Sequence, residues 1–122
     1  MVNPSKSKGT AAETAVVRYL HQWSTHVERR ALSGSADKGD VSGVLGAVVE
    51  IKACKAMELS QWIKEADVER ENAGASLAVV WHKRRGKSSP ADWFVTMTGA
   101  DFVHLLIEAG RLIVNASSEE GK

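Results

Sequence analysis

Three ionisable residues fall close together near the middle of the chain: Asp40, Glu50 and Lys52, with Glu13 further upstream. Asp37 to Lys52 reads as two short apolar strands joined by a turn between Gly43 and Gly46, a β-hairpin. With the turn centred on Leu45, antiparallel pairing sets Asp40 across from Glu50, their Cβ atoms roughly 4.5–5.5 Å apart. Two like charges so placed destabilise a sheet unless a positive group lies between them, and a hard divalent cation with carboxylate ligands meets that need. Side chains alternate along a strand, so Glu50 and Lys52 share one face while Val49 and Ile51 occupy the other. Two acids and a lysine on one wall suit chemistry in which a cation activates water and the ammonium offsets developing negative charge. A surface salt bridge would also account for a Glu and a Lys on one strand face.

Asp40, a short gap and then Glu50-Ile51-Lys52 resemble the signature of the PD-(D/E)xK nuclease superfamily. The resemblance widens with Glu13 on a preceding helix, Arg30 and Ser33-Gly34 in the connecting segment, and the helix after Lys52. In that order the chain looks most like the archaeal-type Holliday junction resolvases, over about residues 8 to 82. At the position before Asp40 the name-giving motif has proline, and this chain has Gly39.

The resemblance implies a restriction-endonuclease-like αβββαβ core, α/β in class, with a central mixed sheet flanked by helices and a C-terminal β-α extension. It also implies Mg²⁺ or Mn²⁺ held by Glu13, Asp40, Glu50 and the Ile51 carbonyl, with Lys52 as the fourth catalytic residue. The expected reaction is phosphodiester hydrolysis in branched DNA, most readily a four-way junction. Cutting such a junction symmetrically calls for a homodimer. Alternatives are a related nuclease acting on flaps or duplex ends, and a non-catalytic DNA-binding module of the same fold.

Composition sets the bounds. At 122 residues the chain is one domain, with residues 1–8 and 117–122 expected to be flexible. Its formal net charge of +1 is too small for binding nucleic acid by bulk charge, which leaves local basic clusters to do so. The clusters that could contact phosphate are Lys8, Arg29 and Arg30 near Ser33, and Lys83-Arg84-Arg85. Arg29 and Arg30 read equally as phosphate ligands and as charges that protect a strand edge. One cysteine, Cys54, excludes an internal disulfide and reads as a buried strand thiol. The four histidines lack metal-ligand spacing, and no glycine-rich loop would cradle a nucleotide cofactor. Without a signal segment or a long apolar run, the expected setting is cytoplasmic.

The elements that must position these residues follow from periodicity. Thr10 to Glu13 fits a capping box, and Ala12, Val16, Tyr19, Leu20 and Trp23 recur at helical spacing behind it. Glu13 therefore has two readings: a carboxylate favoured by the helix N-terminus, or a site ligand beside the stripe that packs on the sheet. His26 to Leu32 reads as a first strand, and Met57 to Asn72 as a second helix buried along Leu59, Trp62, Ile63 and Ala66. On that helix Lys64, Glu65, Glu69 and Arg70 read as mostly outside the stripe, while Gln61 or Asp67 could face the site. Ser76 to His82 is a nearly unbroken apolar run, as expected of a central strand paired in parallel across a helical crossover. Trp93 to Thr98 reads as the last long strand, Asp101 to Ala109 as a short helix, and Leu112 to Val114 as a brief strand.

Overall fold

The computed structural model describes residues 4–30 and 39–116, with side chains from residue 9 onward. The chain runs α1 (Pro4–Leu20), β1 (Glu28–Arg29), β2 (Val41–Ser42), β3 (Ala47–Lys52), α2 (Leu59–Ala73), β4 (Leu77–His82), β5 (Phe94–Thr96) and α3 (Gly99–Glu108). The α/β class and the helix-strand order agree with the sequence reading. Several boundaries do not.

The Leu77-Ala78-Val79-Val80 run forms the middle of a three-stranded mixed sheet, order β3-β4-β5. β3 and β4 pair in parallel through the α2 crossover, with Glu50 opposite Val80 and Lys52 opposite His82, and β5 pairs antiparallel to β4. Each face of the sheet is covered by one helix. Val49, Ile51, Leu77 and Val79 pack with Ala12, Val16 and Val17 of α1, whereas Val48, Ala78 and Val80 pack with Trp62 and Ala66 of α2. Period-two alternation thus sends odd residues of β3 towards α1 and even ones, Glu50 and Lys52 among them, towards α2.

The expected hairpin between Asp40 and Glu50 does not form as a ladder. β2 pairs with β1 instead, Arg29 opposite Val41 and Glu28 opposite Ser42. A backbone bond still ties β2 to β3, from the Asp40 N–H to the Val49 carbonyl at 3.2 Å. Gly43 explains the change of partner. Its φ is +90°, and a Cβ there would stand 2.5 Å from the His26 carbonyl oxygen, so the chain leaves β2 pressed against the approach to β1.

Other corrections are local. The first helix begins at Pro4, six residues before Thr10, because proline is pre-organised for the first helical turn and nothing between it and Thr10 stops propagation. Trp23 lies past the helix end and is exposed. β3 stops at Lys52, which leaves Cys54 exposed beyond it instead of buried in a strand. Residues 112–114 form no strand. α2 ends as expected at Gly74, in the left-handed conformation with φ of +65°. α3 is capped by Thr98, whose hydroxyl accepts from the Asp101 N–H, and Asp101 in turn accepts from the Ala78 N–H of β4 at 3.0 Å.

Candidate functional site

Asp40 is fixed from both directions. Its N–H donates to Val49 of β3, its carbonyl accepts from the Arg30 N–H, and its Oδ2 accepts from the Ile51 N–H at 2.8 Å. These bonds place the Asp40 carboxylate on the open edge of β3. Gly39, where the motif would have proline, has a φ of +97°, far from the roughly −65° to which proline is confined. The departure is therefore one of backbone geometry. A Cβ at this position would meet Val48 Cγ1 at 2.8 Å, so glycine also permits the close approach of the two segments.

Glu50 extends from β3 towards α2 and is buried at 6% exposure. Its carboxyl is hydrogen-bonded to the side chains of Asp40 and Glu69, and Lys52 is near enough to act on it electrostatically. Burial pushes the Glu50 carboxyl up to about 8; Glu69 adds to the rise, while the Asp40 bond and the Lys52 charge oppose it. Glu69, from the third turn of α2, is equally buried. Its sequence signal was spacing: it lies seven residues after Trp62 and three after Ala66, in register with the buried stripe. The charge of a glutamate had suggested the solvated side.

Lys52 is partly buried, and its Nζ donates to Glu65 Oε1 at 3.1 Å. Gln61 extends this chain by donating to the other oxygen of Glu65 at 3.4 Å. Asp67 pairs with Arg70 at 2.8 Å and takes no part. Burial on its own would lower the Lys52 pKa, but the bond to Glu65 and the charge of Glu50 outweigh it and the shift is upward. The ammonium is thus held protonated. A protonated ammonium suits charge stabilisation and hydrogen-bond donation.

Glu13 settles between its two readings. With α1 starting at Pro4, Glu13 sits in the helix interior and cannot serve as a first-turn cap. Its Oε1 accepts from Nε and Nη2 of Arg29, each at 3.2 Å. Its pKa is raised by burial first and then by the charge of Asp40, with Arg29 acting in the opposite sense. Glu13 therefore approaches the cluster from the α1 side while Glu50, Glu69 and Lys52 approach from the α2 side, and Asp40 stands at the sheet edge between them.

Comparison with known protein families, with curated proteins and with solved structures finds no match for this chain. The site therefore rests on its own geometry.

Its donor set is all oxygen, which suits a hard cation such as Mg²⁺ or Mn²⁺. A buried acid that holds its proton up to about pH 8 beside two further carboxylates is the electrostatic situation that a divalent ion relieves. Val49 O and Ile51 N both face Asp40, so by strand alternation the Ile51 carbonyl lies on the same open edge. Among the described residues no three acidic, histidine or cysteine side chains already converge as a ligand set.

The expected phosphate contacts separate into groups. Arg29 is engaged by Glu13, and Arg30 is exposed next to Asp40. Ser33 and the Lys8 side chain lie outside the described residues. Lys83, Arg84 and Arg85 follow β4 and line a groove of about 650 Å³ with Lys55, Met57 and Phe94. Arg84 is the most fixed of these: its guanidinium lies 4.3 Å from the Phe94 ring centre and donates to the Asp92 carbonyl at 2.8 Å.

Proposed function

We propose that the protein is a divalent-cation-dependent endonuclease that cuts branched DNA, with a four-way junction as the favoured substrate. The observation that carries this reading is the buried pair Glu50 and Glu69 with the half-buried Asp40 and Lys52 alongside, at an open strand edge where Glu13 also arrives. A structural salt bridge would not need to bury two adjacent carboxylates, because an uncompensated buried charge is costly.

Asp40, Glu50, Glu13 and the Ile51 carbonyl would hold the cation, and Glu69 is a further oxygen donor at hand. Bound there, a Mg²⁺ ion would acidify a coordinated water and screen the phosphate charge. Glu50 gives up its proton to take part, which ties activity to pH. Lys52, held protonated by Glu65, donates to a non-bridging phosphate oxygen as negative charge accumulates during in-line displacement. Arg30 flanks the approach to the edge and supplies bidentate donors for an incoming phosphate, while Arg29 is held by Glu13.

Incision of both continuous strands requires two such sites, hence a homodimer. The region after β4 offers a surface for it. α3 buries none of its residues, and Phe102, Val103, Leu105 and Ile107 are all exposed. An apolar patch of this kind on a small domain marks an interaction surface.

The deciding experiment is cleavage of a synthetic four-way junction, a flap and a linear duplex side by side, with and without Mg²⁺. Symmetric, Mg²⁺-dependent incision of the junction, lost in Asp40→Asn with binding intact, is the expected result. Preferential cutting of the flap would transfer the assignment to a general structure-selective nuclease. Failure to cut any of them with Mg²⁺ or Mn²⁺ would leave a DNA-binding module.

A further inference from the structure

The groove at the carboxyl ends of β3 and β4 is a second feature with chemistry of its own. Ala53, Cys54 and Lys55 enter it directly after Lys52, Lys83 to Gly86 enter directly after His82, and Ala11, Met57 and Phe94 complete the lining. Ligands of open α/β sheets settle in crevices at this end of the strands. Its four charged lining residues, Lys55, Lys83, Arg84 and Arg85, are all cations, with no acid among the described ones, whereas Ala11, Ala53, Met57 and Phe94 supply apolar surface.

Both features restrict the occupant. A polyanion satisfies the rim, but a duplex presents a convex ridge of phosphates and keeps its base faces stacked, which would leave Met57 and Phe94 uncovered. Single-stranded nucleic acid offers phosphate and an open base together. The volume of about 650 Å³ is in the range of small-ligand pockets. Arg84 adds direction. One face of its guanidinium is covered by Phe94 and the group is anchored on the Asp92 carbonyl. Arg84 and Phe94 both line the groove, so the planar pair is available there as a stacking platform. Lys83 lies 5.9 Å from the Trp93 ring centre and, like Lys55 and Arg85, is an exposed cation of the lining.

We propose that this groove binds an unpaired nucleotide of the DNA substrate, its base stacked on Arg84 and its phosphates held by Lys55, Lys83 and Arg85. The proposal rests on the nuclease reading only for what the groove serves, namely selection of substrates in which a nucleotide next to the scissile phosphate is unstacked. Such nucleotides occur at the base of a flap, and at the crossover of a junction once the base pairs there open. An intact linear duplex lacks them.

The test measures binding by fluorescence anisotropy in EDTA, where no cleavage occurs, using a labelled oligothymidylate of about eight nucleotides and a duplex of equal length. The single strand is expected to bind the wild-type protein more tightly. Arg84→Ala should weaken single-strand binding about tenfold and duplex binding less than about twofold, the size of one lost base stack. Arg84→Lys keeps the charge and removes the planar stack, so it should lose nearly as much as Arg84→Ala; wild-type affinity in Arg84→Lys overturns the proposal. Equal weakening of both ligands by Arg84→Ala, or no binding of the oligothymidylate, overturns it as well. Lys55→Gln, in an exposed loop, should lose a smaller factor and keep the fold. Asp40→Asn should leave these affinities unchanged while abolishing cleavage, so the groove and the nuclease reading fail independently.

Discussion

The two helices that follow β3 handle the ordinary rule of inside and outside in opposite ways. α2 turns a glutamate, Glu69, into the protein against Glu50 at 5% exposure, while α3 leaves Phe102, Val103, Leu105 and Ile107 facing out. A buried acid pair and an exposed apolar face are each unfavourable for an isolated chain. Under the proposed function each would be relieved by something outside the chain: a cation among the carboxylates for α2, an apolar partner surface for α3. Substitutions put both to the test.

The sharpest way to break the α2 half of the comparison is to remove its carboxylates. Glu50→Gln and Asp40→Asn should each reduce Mg²⁺-dependent junction cleavage by about a thousandfold or more, with junction affinity nearly unchanged in gel-shift assays. Cleavage at wild-type rates in either variant would disprove the metal site.

The same cluster makes a stability prediction. Glu50 holds its proton up to about pH 8 in the folded state, against an ordinary value of 4.5. The unfolded chain ionises first, so stability of the metal-free protein is greatest below pH 4.5 as far as this group is concerned. It falls as pH rises from 4.5 to 8, by a few kcal/mol, and is level above that. Urea titrations of wild type and Glu50→Gln across this range should show the decline only in wild type. Added Mg²⁺ should restore wild-type stability at pH 8 and leave Glu50→Gln unaffected.

For α3, Phe102→Asp should raise the dimer dissociation constant by a factor of about ten or more, as followed by sedimentation equilibrium, with the circular dichroism of the monomer intact. A wild-type protein that is monomeric at high concentration would leave α3 without the expected partner. The smallest effect is expected at the junction of α2 and β4. Gly74→Ala, at a φ of +65°, should cost about 1 kcal/mol in thermal unfolding without altering cleavage.

How much of this could be read from the residues differs between parts. β4 was legible because Leu77 to Val80 is apolar without alternation, the mark of a strand covered on both faces. Glu50 and Lys52 were legible as neighbours because strand alternation is rigid. The pairing of β2 was not, since it depends on Gly43 meeting the His26 carbonyl, a contact across seventeen residues that no local pattern encodes. Glu69 was missed because charge outweighed spacing in reading α2, whereas Glu65 lies outside the buried stripe as expected and only its bond to Lys52 went unread. The exposure of α3 was hidden for a related reason: an apolar stripe has the same sequence whether it meets its own core or a second surface.

The crossover that joins β3 to β4 has a kinetic consequence. Glu50 and Glu69 meet only when α2 has docked on a sheet whose parallel strands are linked through it. The penalty for ionising Glu50 beside Glu69 is therefore absent from the early, loosely ordered chain and is felt in full only near the native state. Removing it should act on escape from the folded basin: Glu50→Gln or bound Mg²⁺ should slow unfolding in stopped-flow experiments at pH 8 and leave the refolding rate nearly constant.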